Sequence, residues 1–95
     1  MIVRLMGEGQ WQVDDSLKAR LEELDAETER ATEAGNADAL REALHALHEA
    51  VREPGEKLDH AHLAASDAVI PPEDLSLEEA QAMLAGQDVF PDFVP

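Results

Sequence analysis

Four histidines are the side chains of this sequence best suited to bind a metal ion. His45 and His48 lie three residues apart, so they would share one side of a helix, and His60 and His62 form a His-x-His pair. Imidazoles among abundant carboxylates could hold zinc or nickel, which makes a metal-responsive regulator one alternative function. No fixed metal-binding spacing such as HExxH accompanies them. We therefore predict no metal site and no cofactor, with both helical histidines at a solvated border.

Two glycines near the start of the chain could belong to a phosphate-binding loop. The dinucleotide fingerprint G-x-G-x-x-G places a third glycine where Gln12 stands, and it continues into a helix. The residues after Gly9 alternate instead between apolar and polar, as in a strand. Gly7 and Gly9 are therefore interpreted as parts of a tight hairpin turn, and no nucleotide site is predicted.

Paired acids and serines are the remaining candidates for catalysis. Adjacent acids such as Glu22-Glu23 and Glu73-Asp74 follow helix ends or surfaces, where they do not converge on a pocket. No serine occupies a nucleophile elbow, and the chain has no cysteine. We predict that the protein is not an enzyme and has no catalytic residues.

Length and charge limit the other classes of function. The chain of 95 residues is predicted to form a single domain over residues 1–86 with a tail at 87–95. Its apolar runs are shorter than a membrane span, and the pattern of its first residues predicts no signal peptide. Its net charge of −15 would be repelled by nucleic acid and by anionic lipids. The acidity fits either a salty cytoplasm or a basic partner. The predicted location is the cytoplasm.

Periodicity predicts an α+β fold. Val3, Leu5, Trp11 and Val13 occupy the alternating positions of an N-terminal β-hairpin. Residues 56–62 are interpreted as a polar connector, and residues 68–70, followed by two prolines, as a possible third strand at the sheet edge.

Two heptad-like leucine stripes predict an antiparallel helical hairpin. The first helix is expected to begin after Asp14, Asp15 or Ser16 and to end near Gly35. The second is expected to be capped by Asn36 or Asp38 and to end before Pro54. Ser76 and Glu79 form a capping box before a short third helix. The stripes consist of Leu17, Leu21, Leu24, Thr28 and Ala31, and of Leu40, Leu44, Leu47 and Val51.

An interaction surface is the functional site that these apolar positions suggest. The leucine stripes could pack only on each other and on the hairpin, or they could leave a seam for a partner helix. The apolar tail could likewise be a strap over the core or a docking peptide. The predicted partner interface comprises Trp11, Leu40, Leu44, Leu47, Val69, Ile70, Phe90 and Phe93.

Three segments carry a resemblance to a known family. The segments "MIVRLMGEGQWQV", "LEELDAETERATEAGNADALREALHALHEAV" and "SDAVIPPEDLSLEE" resemble the PspA-associated domain, PspAA, which accompanies phage shock protein A (PspA) homologues in archaea and actinobacteria. The resemblance implies a non-enzymatic interaction module of the envelope-stress response, with a PspA homologue as partner and recruitment to the inner membrane face through it. A self-associating homodimer is the main alternative.

Overall fold

The computed structural model describes residues 1–59 and 65–84 and confirms the α+β class. A mixed sheet has the strand order β3-β2-β1-β4, and three helices accompany it. His60, His62 and the tail at 87–95 lie outside the described residues. The elements are β1 (Ile2–Leu5), β2 (Gly9–Gln12), a 3-10 turn (Asp15–Leu17), α1 (Lys18–Glu33), α2 (Ala37–Arg52), β3 (Glu56–Lys57), β4 (Ala68–Ile70) and α3 (Leu77–Leu84).

The N-terminal hairpin forms as the alternation predicts. β1 and β2 pair antiparallel, with Val3 opposite Trp11 and Leu5 opposite Gly9. Gly7 and Gly9 have φ values of 90° and 92°, a region that residues with a Cβ rarely adopt. The glycines therefore serve the turn between two strands, and no helix follows them to bind a phosphate.

Two more strands complete the sheet, one on each side of the hairpin. β4 lies at the edge that residues 68–70 were predicted to occupy, and it runs parallel to β1, with Leu5 opposite Ile70. On the other side, Glu56 and Lys57 pair antiparallel with β2. The interpretation of residues 56–62 as a connector was thus wrong at its start, because two charged residues lack the apolar alternation that reveals a strand.

Short-range side-chain contacts fix the helix ends. Asp14 accepts a hydrogen bond from the Ser16 amide at the 3-10 turn, and Asn36 accepts one from the Ala39 amide at the start of α2. Gly35 ends α1 with a φ of 69°. Before α3, the Ser76 hydroxyl accepts from the Glu79 amide while the Glu79 carboxylate accepts from the Ser76 amide. The predicted capping box is confirmed.

The two leucine stripes meet the sheet in one core. Leu44 and Val51 of α2 and Val3 and Leu5 of β1 have no exposed surface, and Leu21 of α1 is 1% exposed. Burying one such side chain contributes roughly 1.5–3 kcal/mol, so the helical hairpin and the sheet stabilise each other. The rest of the buried apolar cluster consists of Val13, Leu24, Ala31, Leu40, Leu47, Ile70, Leu75 and Ala80.

Gly55 lies after the end of α2, where the chain packs closely against the N-terminal hairpin. Its replacement by alanine is expected to destabilise the fold. A Cβ there would lie 2.3 Å from the carbonyl oxygen of Val51 and 3.1 Å from Cγ1 of Val13. Relieving those contacts requires a backbone shift, so Gly55→Ala should lower the free energy of unfolding by about 1–3 kcal/mol in urea titrations. Glu53→Ala, at an exposed neighbouring position, should change it by less than about 0.5 kcal/mol. Equal effects of the two substitutions would contradict this explanation.

Candidate interaction site

The residues predicted to form a partner interface separate into three groups. Leu40, Leu44, Leu47 and Ile70 are at most 1% exposed and belong to the core. Trp11 and Val69 are half-buried, and Trp11 carries the Lys57 ammonium 5.9 Å from its ring centroid. Phe90 and Phe93 lie outside the described residues. The four core side chains are out of a partner's reach while the helices and the sheet stay packed.

A groove with a largely apolar lining lies between α1 and α2. It encloses about 500 Å³. Five of its side chains are alanines from the two helices and the turn between them, and two acids and one arginine stand at its rim. Small side chains let another helix approach closely. This alanine groove is lined by Glu27, Arg30, Ala31, Ala34, Asn36, Ala39, Glu42, Ala43 and Ala46.

A polar cluster joins the hairpin turn to α2 and to the loop after β4. Arg52 is its central cation: Nη1 donates to both carboxylate oxygens of Glu8, at 2.9 and 3.0 Å, and Nη2 donates to Oε1 of Glu73 at 2.6 Å. Nη2 also contacts Glu49, one turn earlier on α2. We call Glu8, His48, Glu49, Arg52 and Glu73 the Arg52 cluster. It ties three elements together that are distant in sequence.

His48 lies inside the protein, which corrects the prediction of a solvated border position. The side chain is 1% exposed. Its Nδ1 is 2.7 Å from Oε2 of Glu8, and its Nε2 is 2.7 Å from the carbonyl oxygen of Pro71. Both partners are hydrogen-bond acceptors, so a ring nitrogen that faces one of them satisfies it by donating. His45, by contrast, is exposed as expected.

Charge within the cluster favours ionised Glu8. Burial opposes the ionisation of this carboxyl, but hydrogen bonds from His48 and Arg52 outweigh it and hold the Glu8 pKa below its ordinary value. The hydrogen bond to Glu8 is the largest influence that raises the Arg52 pKa. The charges of the Arg52 cluster are therefore paired with one another. These pairs connect the hairpin turn, α2 and the loop after β4.

Two overlapping sets of side chains in the described ranges could offer three ligands to a metal ion. One set is Glu8, His48 and Glu73, and the other is His45, Glu49 and Glu73; in each, the ligand atoms lie within 4.8 Å of one another. Sequence spacing could not reveal either set, because Glu8 and Glu73 come from other elements than the histidines.

Comparison with known families decides the relationship that the quoted segments suggested. The model of the PspA-associated protein family (PspAA) matches residues 1–92. The chain belongs to the PspA-associated family. Comparison with curated proteins gave no significant match, and comparison with solved structures gave none either. The family match extends beyond residue 86, while the division into a domain and a tail stays a prediction.

The PspA-associated name links this chain to PspA-type proteins without assigning a residue to the contact. Over the residues that the structure describes, no helix has both the length and the apolar character that a membrane span requires. The family match assigns no role to the alanine groove or to the Arg52 cluster.

Proposed function

We propose that this PspA-associated protein is a non-enzymatic module that binds a PspA-type protein of the envelope-stress response. The observation that supports it best is the alanine groove, which offers an apolar, concave surface on a chain that the family match associates with PspA. In this proposal the protein reaches the inner membrane face only through its partner. Its own surface, with a net charge of −15, is repelled by anionic lipids.

The groove suits a helix with a small apolar stripe and basic flanks. Ala39 and Ala46 are half-buried at the groove, so a docked helix would cover apolar surface that water now reaches. Glu27 and Glu42 at the rim are exposed and can pair with lysine or arginine on such a helix. Electrostatic attraction of this kind mainly raises the association rate, and salt weakens it.

Ala46→Arg tests the groove as the binding surface. The long cationic side chain would fill the groove and repel a basic partner, so we expect the affinity for the PspA-type protein of the same organism to fall at least about tenfold, or 1.4 kcal/mol. Calorimetry or surface plasmon resonance at two salt concentrations measures it. Ala19→Arg makes the same chemical change at an exposed position in the first turn of α1, outside the groove.

The Ala19→Arg control distinguishes binding at the groove from binding elsewhere on the protein. Equal loss with Ala46→Arg and Ala19→Arg would place the contact outside the groove. Failure of the unmodified chain to form any complex, at low and at high salt, would overturn the proposed function itself. Light scattering on the same samples tests the homodimer alternative, which predicts twice the monomer mass in the absence of a partner.

A further inference from the structure

We propose that His45, Glu49 and Glu73 form a surface binding site for a divalent zinc ion, independently of the proposed partner. His45 and Glu49 are four residues apart on α2, a spacing that places an imidazole and a carboxylate side by side on one face. Glu73 follows β4 and brings a second carboxylate to the same place. One nitrogen and two oxygen donors are a set that zinc accepts.

The distance between two of these ligands fits a shared ion better than a direct hydrogen bond. Nδ1 of His45 is 3.7 Å from Oε2 of Glu73. This is too long for a hydrogen bond between nitrogen and oxygen. Two ligands bound to one zinc ion at about 2.0–2.2 Å in tetrahedral geometry are roughly 3.3–3.6 Å apart. A small movement of the exposed His45 ring would reach that separation.

Arg52 lies beside this site and holds two of its carboxylates in position. Its Nη2 contacts one oxygen of Glu73 and one of Glu49, which leaves the second oxygen of each carboxylate for an ion. Its Nη1 is paired with Glu8, so the positive charge of the guanidinium is already balanced. Hydrogen bonds of this type orient the carboxylates of metal sites.

The neighbouring set of Glu8, His48 and Glu73 is a poorer site for an ion. Both ring nitrogens of His48 are already within 2.7 Å of an acceptor, and the ring is 1% exposed. Both oxygens of Glu8 accept from Arg52. An ion bound there through Nδ1 of His48 would break the contact of that nitrogen with Glu8, whereas His45, with 62% of its side chain exposed, is open to the ion and to a completing water.

Calorimetric titration of the tag-free full chain with zinc chloride tests the site. We expect the unmodified chain to bind one equivalent of zinc that His45→Ala does not bind. Glu49→Gln should bind this equivalent at least about tenfold more weakly. Glu33→Gln is the matched control, because it removes an exposed carboxylate at the end of α1, away from the three ligands and from the surface around them. It should change the affinity less than twofold. Circular dichroism checks that each variant keeps its helices.

The second histidine pair provides the decisive comparison. A His60→Ala/His62→Ala double variant should keep the equivalent that His45→Ala removes, and the nitrogen resonances of the His45 ring should shift on addition of zinc. Loss of all binding in the double variant, an unchanged titration of His45→Ala, or absence of zinc binding by the unmodified chain would each overturn the proposed site.

Discussion

Asp25→Asn is expected to stabilise the protein at pH 8 and to flatten its dependence on pH. Asp25 is 4% exposed on the inner face of α1, and within the described residues its Oδ1 has no hydrogen-bond partner. Burial, together with the nearby charges of Glu29 and Glu22, raises the Asp25 pKa to about 7. Asparagine has a similar shape and carries no charge at any pH in this range.

The direction of the effect follows from proton binding. Between the unfolded pKa of 3.8 and the folded pKa of about 7, the folded state holds a proton on Asp25 that the unfolded state has released. The free energy of unfolding therefore falls as pH rises through this window. A displacement of this size corresponds to about 4 kcal/mol, which is the gain we expect for Asp25→Asn at pH 8.

Urea titrations from pH 4 to pH 8 measure this difference. Asp74→Asn makes the same chemical change at an exposed position and should follow the unmodified protein at every pH. A slope for Asp25→Asn that equals the unmodified slope would show that the Asp25 carboxyl ionises as it does in the unfolded chain.

Arg52→Met should be the most destabilising change of charge in the described part of the chain. It removes the cation that Glu8, Glu49 and Glu73 share and leaves three partly exposed carboxylates facing one another. Breaking a buried ion pair from one side costs about 3–5 kcal/mol, and partial exposure reduces that figure to about 2–3 kcal/mol. Denaturant midpoints at pH 7 measure the loss, which should diminish as added salt screens the acids.

Two related variants identify the cause. Arg41→Met removes an arginine from the same helix that is 72% exposed and pairs with the exposed Asp38 three residues before it, so it should cost less than about 0.5 kcal/mol. Arg52→Lys keeps the charge without the planar fork and should recover only part of the stability. An Arg52→Met variant as stable as Arg41→Met would mean that the cluster contributes nothing to the fold.

Local interactions explain which parts of the fold the sequence could predict. The hairpin turn, the end of α1 at Gly35 and the Ser76–Glu79 capping box each depend on residues within a few positions of one another. Such signals survive in the sequence because their geometry is set by backbone conformation and short side chains. β3 carried no such signal, since its two residues are held in the sheet only by pairing with β2.

The polar features depend on contacts between distant residues, and these escaped prediction. Glu8 is one of 22 acids and Arg52 one of seven bases, so composition alone cannot indicate which of them pair. Asp25 follows Leu24 directly and lies four residues after Leu21, which was the available sign that the apolar face extends over it. His48, at the border of the Leu44–Val51 stripe, offered the same sign. In both cases tertiary packing determined burial.

The parallel pairing of β1 with β4 also has a consequence for synthesis of the chain. β1 obtains one of its two neighbours from the adjacent hairpin strand, but the other arrives only when Ala68–Ile70 has left the ribosome. Until then the nascent protein exposes one side of its central strand, with backbone groups able to pair with another chain. Closing so long a loop is slow compared with hairpin formation. Until β4 is translated, the nascent chain is therefore open to aggregation through the unpaired side of β1.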